Sequence, residues 1–321
     1  MQRENDPWRR LALIFPGQGS QHVGMGRRLF EQFDICRETL EQADAALSDT
    51  LTTLCFEGPD DMLRLTENTQ PAILAVSIAV HRLLVSRGVK PELVAGHSLG
   101  EYSAHVAAGT ISFADALRTV RRRGQFMQKA VPVGTGAMAA IFGLDAESVL
   151  RACQEVAGDE VVSPANLNAP GQIVIAGARD AVARAEVRAK ELGARRSVAL
   201  PVSAPFHCAL MKPAEQRLEP ELRRLVVSDP MVPVVANVDG ELKENAISSI
   251  DALVRQVSAP VQWEAVVQRL ITAGVDTCIE VGPGKVLSGL IKKIDKGMRI
   301  ANVEDWDGLT RVEQLLDEVG S

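Results

Sequence analysis

The stretch ELVAGHSLGEYSAHVAAG, from Glu92 to Gly109, decides the fold. Its first five residues, ELVAG, read as a strand, and Leu99–Ala108 reads as a helix closed by Gly109. Between them stands Gly96-His97-Ser98-Leu99-Gly100, a G-x-S-x-G pentapeptide. The pentapeptide alone is a weak signal. Strand, sharp turn and helix is the setting that lifts a serine hydroxyl above the end of a sheet. It also aims the N–H of the following residue at a developing oxyanion, with a helix N-terminus behind it. In this setting Ser98 is read as a nucleophile.

Working outward, LALIF (Leu11–Phe15) ends in Pro-Gly and reads as another buried strand, and Gln70–Ser86 reads as an apolar helix. Ser112 with Asp115 is a helix-capping signal. The helix it opens carries Phe113, Leu117, Val120, Gly124 and Met127 as a core stripe. Arg118, Arg121 and Arg122 fall on the opposite side, whereas Arg123 sits on a flank beside the small residues Ala116 and Thr119. After Gly136 the pattern changes to strand Ala137–Phe142, helix Ala146–Val156, strand Glu160–Asn166, strand Gln172–Ala176, helix Ala178–Leu192 and strand Arg196–Val202. That β-α-β-β-α-β order is ferredoxin-like. A small inserted domain is expected over residues 133–201, leaving 1–132 and 202–321 to a catalytic domain. Alternation then resumes with strand Val232–Asn237, helices Ile250–Gln256 and Trp263–Ala273, strand Thr277–Val281, helix Lys285–Ile294, strand Met298–Val303 and helix Leu309–Val319. Alternating strands and helices imply a mostly parallel sheet covered on both faces.

The bulk composition limits the function. The chain has 321 residues, 46% hydrophobic and 24% charged, as in an ordinary globular protein. A net charge of −6 argues against a general nucleic-acid binder. The apolar run before Pro16 is too short for a signal-peptide core, and Ala72–Val80 is interrupted by Ser77, so no membrane association is expected. Five cysteines without C-x-x-C pairing fit a reduced, cytoplasmic protein and no metal site.

A nucleophilic serine needs a base. Of His22, His81, His97, His105 and His207, position favours His207, which follows a strand in a proline-bounded turn and lies after Ser98 in the chain. His97 adjoins Ser98 and is expected to point elsewhere. A hydrolase would also want an acid between them, but Asp145, Asp159 and Asp180 all fall at helix starts or loops of the small domain. The loop Phe15–Gly26 lacks a phosphate-binding pattern and suits a second oxyanion donor better. Cys208 beside His207 is read as a buried cysteine rather than a nucleophile.

FPGQGSQ, GHSLGEYSA, RRRGQFMQ, ANLNAPGQIVIAG, PVSAPFHCALM, VSAPVQW and IEVGPGKVLSGL, in order from about Leu11 to Val303, together resemble the malonyl-CoA:acyl-carrier-protein transacylases of fatty-acid synthesis. The resemblance implies an α/β-hydrolase-like large domain with a ferredoxin-like insert. It implies that Ser98 is acylated and that His207 is the base. The backbone carbonyl of Gln256 would orient His207 in place of a carboxylate, which accounts for the missing acid. It implies that Arg123 grips the malonyl carboxylate and that the N–H groups of Gln18 and Leu99 form the oxyanion hole. Asn166 is implied to face the cleft. The donor would be malonyl-CoA, the acceptor the phosphopantetheine thiol of an acyl carrier protein, with no cofactor held by the chain and a monomer expected.

Two features depart from that pattern. Residues 1–10 extend beyond the usual start and are expected to form a loose lead. Phe206 precedes His207 where many bacterial members carry serine, which resembles malonyl-selective acyltransferases of polyketide synthesis. A trans-acting transferase loading a polyketide carrier protein therefore stands as the alternative, and a thioesterase or esterase as the reading from another class. An esterase would have no need of Arg123. Carrier docking is expected at Arg121, Arg122, Arg195, Arg196, Lys285, Lys292 and Lys293.

Overall fold

The computed structural model describes residues 11–202 and 204–320. The expected loose lead at residues 1–10 lies outside the described residues. The chain opens with β1 (Leu11–Phe15), four helices α1 (Arg27–Gln32), α2 (Asp34–Leu47), α3 (Leu51–Glu57) and α4 (Asp60–Leu63), and the long α5 (Thr66–Ser86). Then come β2 (Leu93–Gly96), α6 (Leu99–Ala107) and α7 (Phe113–Lys129). The second unit comprises β3 (Gly136–Phe142), α8 (Ala146–Val156), β4 (Val162–Ala169), β5 (Gln172–Ala178), α9 (Arg179–Glu191) and β6 (Arg196–Ala199). The chain returns through α10 (Lys212–Arg223), β7 (Val234–Val235), β8 (Leu242–Lys243), α11 (Ala246–Gln256), α12 (Trp263–Thr272), β9 (Thr277–Val281), α13 (Val286–Ile294), β10 (Arg299–Val303) and α14 (Trp306–Gly320).

Two sheets result. The larger has six strands in the order β10-β9-β1-β2-β7-β8, parallel throughout except for the β7–β8 pair. The smaller is antiparallel, in the order β4-β5-β3-β6, which is the ferredoxin-like arrangement. The α/β class expected from the sequence, an α/β-hydrolase-like sheet with a ferredoxin-like unit, is the class observed.

The buried strands have apolar residues on both faces because helices cover both sides. Leu11, Leu13 and Phe15 of β1 face the core built with α2, α5 and α7, while Ala12 and Ile14 face the core built with α12 and α13. A third core lies between the small sheet and α8 and α9. Helix α5 is long and apolar enough to cross a membrane by length alone, but most of it is packed as the central helix of the first core.

Two expected strands are shorter than read, and a proline, which lacks a backbone donor, bounds one end of each. The strand expected at Val232–Asn237 pairs only at Val234–Val235, after Pro233. The one expected at Arg196–Val202 stops at Ala199, before Pro201. The helices α1–α4 and α10 were not anticipated as elements.

The topology places β2 centrally, beside β1, so that the turn after it emerges at the carboxyl end of a parallel sheet. Two glycines make that turn possible. A Cβ on Gly96 would lie 2.0 Å from the Gly100 carbonyl carbon, and a Cβ on Gly100 would lie 2.0 Å from the Phe15 oxygen. Strand, turn and helix therefore approach as closely as backbone allows, and only glycine fits at either position.

Candidate active site

Ser98 caps α6 with φ 52° and ψ −107°, a conformation that L-residues seldom adopt. A buried asparagine after β7 holds it there. Asn237 accepts the Ser98 N–H through Oδ1 at 2.6 Å and donates Nδ2 to the Gly96 carbonyl at 2.7 Å. The strained turn is thus clamped on both sides by one side chain, and strain of this kind persists only when neighbours over-determine it.

The elbow meets its base across the fold. Ser98 Oγ lies 2.7 Å from His207 Nε2, and His207 Nδ1 lies 3.0 Å from the backbone carbonyl oxygen of Gln256. The Gln256 oxygen can only accept, so Nδ1 carries the proton and Nε2 is free to take one from the serine. His207 has φ 59° and is buried. Burial, followed by the positive charge of Arg123, pushes its imidazole down to about 3. The base therefore rests neutral.

Arg123 is 1% exposed, from the flank of α7 that the small residues Ala116 and Thr119 leave open. Its Nη1 donates to Gln70 Oε1 at 2.9 Å, and its Nη2 donates to Gln256 Oε1 at 2.8 Å and reaches Ser98 Oγ at 3.2 Å. The guanidinium lies over the Tyr102 ring, 5.4 Å from its centroid. Among the described residues no carboxylate stands within ion-pair distance of Arg123. A buried cation held only by neutral acceptors is poised for an anionic group brought from outside.

A cleft opens over these residues, lined by Gln18, Gln70, His97, Ser98, Leu99, Arg123, Met127, Met138, Asn166, Leu200, Val202, Phe206 and His207. Gln18, in the loop after β1, and Leu99, the first residue of α6, flank the serine. The first N–H groups of a helix have no acceptor within it, so the Leu99 N–H is available to an oxyanion. Asn166 on β4 and Phe206 beside the base complete the far wall. All eight residues singled out from the sequence are thus brought together: seven line the cleft and Gln256 lies behind it.

Other candidates are placed elsewhere. His22 lies on the surface, and His81 packs edge-on against Phe15. Cys208 donates to the Pro205 carbonyl at 3.1 Å, and burial pushes its thiol up to about 11, so it stays protonated. One expectation is corrected. His97 does not turn away from the cleft but lines it, with Nε2 2.8 Å from Asn168 Oδ1 on the small sheet.

Sequence reasoning missed Asn237, Gln70 and Glu101. Glu101 lies in the first turn of α6, fully buried, and accepts the Asn237 N–H at 3.0 Å and the Gln256 Nε2 at 2.7 Å on its Oε2. The available signal was a charged or amide residue inside an otherwise apolar helix, as at Gln70 and Glu101.

Comparison with known proteins identifies the family. The acyl transferase domain family matches residues 12–307. The malonyl CoA-acyl carrier protein transacylase of Escherichia coli K12 is 53% identical over 285 residues, covering 88% of this chain and 92% of that protein. The one from Bacillus subtilis is 46% identical over 310 residues, covering 96% and 98%. The crystal structure of an acyl carrier protein S-malonyltransferase from Vibrio cholerae superposes with a TM-score of 0.93 at 48% identity, covering 94% of this chain and 99% of that one. A malonyl-transacylase in complex with its type II polyketide-synthase acyl-carrier protein gives 0.93 at 46% identity, covering 96% and 99%.

The state of the base gives a first test. His207 works as a base only when neutral, and a value near 3 keeps it neutral where an ordinary imidazole, at 6.5, would be charged. Labelling of Ser98 by a fluorophosphonate should therefore hold level as pH falls from about 7 to about 5. Arg123→Ala removes the second largest of the three downward pushes, after burial and ahead of His97, and should move the acid loss toward neutral pH. A wild-type loss centred near 6.5 would contradict the neutral, buried base.

Proposed function

The chain belongs to the acyl transferase domain family, and on that premise we propose that it moves a malonyl group from malonyl-CoA to the phosphopantetheine thiol of an acyl carrier protein. The observation that carries the malonyl assignment is Arg123, buried beside the nucleophile and without an ion-pair partner among the described residues. The role of each residue follows from its atoms.

Ser98 Oγ attacks the thioester carbonyl while His207 Nε2 takes its proton. The Gln256 carbonyl supports the imidazolium through Nδ1–H. The developing oxyanion is met by the N–H groups of Leu99 and Gln18. His207 then gives the proton to the departing CoA thiolate, leaving a malonyl ester on Ser98. The carrier thiol enters, His207 takes its proton, the thiolate attacks the ester, and the proton returns to Ser98 Oγ. Arg123 holds the malonyl carboxylate throughout, which fixes the carbonyl at the serine. The paired carboxylate also neutralises one of the charges that suppress His207, so the base gains strength when the correct acyl group is bound.

Transfer is favoured over hydrolysis because the acyl ester lies under an apolar wall of Met127, Met138, Leu200, Val202 and Phe206. The reaction needs no cofactor held by the chain, and one chain supplies every residue it uses, in keeping with a monomer. Five free, buried cysteines suit a reducing cytoplasm. The seven basic residues expected to meet an acidic carrier are reduced in number: Arg121 pairs with Asp49 at 2.6 Å, Arg122 pairs with Glu221 at 2.7 Å, and Lys293 donates to Gln172 Oε1 at 2.6 Å. Arg195, Arg196, Lys285 and Lys292 are the better docking candidates. Fatty-acid synthesis is the pathway we favour. Phe206 in the cleft supports the second reading, a polyketide carrier as acceptor.

Two outcomes follow. Arg123→Ala removes a charge-assisted pair of about 2 kcal/mol or more, roughly 30-fold in kcat/KM for malonyl-CoA. Acetyl-CoA should be spared, and equal losses for both would make Arg123 structural. In competition between malonyl-CoA and methylmalonyl-CoA, Phe206→Ser should narrow the malonyl preference by about 1–3 kcal/mol by making room for the extra methyl. An unchanged ratio removes Phe206 from substrate selection.

A further inference from the structure

Glu101 is a fully buried carboxylate that the transfer steps do not use. Its Oε2 accepts two hydrogen bonds, from the Asn237 N–H and the Gln256 Nε2, while its Oε1 is buried without a hydrogen-bond partner. The Gln256 amide has a second engagement at its other end, where Oε1 accepts from Arg123 Nη2 at 2.8 Å. Guanidinium can only donate and an ionised carboxylate can only accept, so one orientation of the amide satisfies both. Flipped, it would set NH2 against guanidinium and oxygen against carboxylate. The amide is therefore a polarised bridge between a buried cation and a buried anion. The same Nε2 also donates to the Ser98 carbonyl at 2.8 Å, so the bridge is anchored on the elbow itself.

We propose that Glu101 is a specificity-tuning positioning residue: through the Gln256 side chain it fixes the Arg123 guanidinium and shares its charge with the incoming acyl carboxylate. The inference rests on the reading of Arg123 as the carboxylate anchor. In the empty site Glu101 is the anion at the far end of the bridge from Arg123. When malonyl binds, a second carboxylate faces the same guanidinium, and the two anions compete for it. Glu101 thus moderates how tightly Arg123 holds a carboxylate, which limits how long the acyl group and its donor stay bound. An acyl group without a carboxylate, such as acetyl, does not enter that competition.

The test separates bond from charge. Glu101→Gln keeps an acceptor oxygen for Asn237 and Gln256 and removes the negative charge. It is best compared with wild type at about pH 8, because burial raises the Glu101 carboxyl to about 7 and it is ionised above that. The KM for malonyl-CoA should fall about threefold or more, with no matching change for acetyl-CoA. Arg123→Ala, run alongside, tests the anchor reading independently: if the malonyl preference survives it, that reading fails. If Arg123→Ala abolishes the preference but Glu101→Gln shifts malonyl and acetyl KM equally, or shifts neither, the role proposed for Glu101 is overturned and the anchor stands. Should Glu101→Gln not fold, the wild type compared at about pH 6 and about pH 8 makes the same separation, because Glu101 gains its proton between them. The malonyl KM relative to the acetyl KM should be lower at pH 6, and a ratio independent of pH would overturn the proposal.

Discussion

A guanidinium buried next to the nucleophile, with no carboxylate in ion-pair contact among the described residues, is the constraint on which the rest of this structure depends. Removing a charge from water is expensive, and the expense must be offset by acceptors held in fixed places. Here those acceptors come from separate elements. Gln70 is supplied by α5 and Gln256 by the end of α11, and the Tyr102 ring of α6 lies beneath the charge. Each is a neutral group, so the positive charge is supported but not cancelled. A ligand carboxylate completes what the protein leaves open.

The same network ties the charge to the elbow. Gln256 bonds to Arg123, to the Ser98 carbonyl and to Glu101 with its side chain, and to His207 with its backbone. The segment that follows it is pinned to the small sheet: Val261 N–H bonds to the Ala165 carbonyl, and Leu167 N–H to the Val261 carbonyl. His97 adds a side-chain link from the elbow to Asn168 on the same strand. Cleft wall, base and anchor are thereby held by one connected set of hydrogen bonds, which is the condition for precise positioning of a reacting acyl group.

Much of the site was legible because its signals are local. The glycines that allow the elbow stand within two residues of Ser98, and the departure of Arg123 from its charged neighbours is visible in the turn of a single helix. The motif resemblance then supplied the roles of Gln256, Gln18 and Asn166, which no spacing reveals. What stayed hidden depends on distance along the chain. Asn237 meets the elbow across 139 residues and Glu101 meets Gln256 across 155, so no periodicity or neighbouring residue announces either contact. His97 was misplaced for a local reason: adjacency to Ser98 suggested divergence, but the distorted backbone at Ser98 leaves both side chains in the cleft. Helices α1, α3 and α4 are too short to show a period, and in α2 three of the four buried positions are Cys36, Thr39 and Ala43, which mark an apolar face only weakly.

The central claim is that the chain carries a malonyl group on Ser98 because Arg123 recognises the carboxylate. Intact-protein mass spectrometry after brief incubation with malonyl-CoA or acetyl-CoA, before any carrier protein is added, tests it most directly. The account predicts a malonyl adduct on the wild type, a much smaller acetyl adduct, and none of either on Ser98→Ala. A malonyl adduct that persists in Ser98→Ala, or acetyl and malonyl adducts forming equally on the wild type, would contradict it.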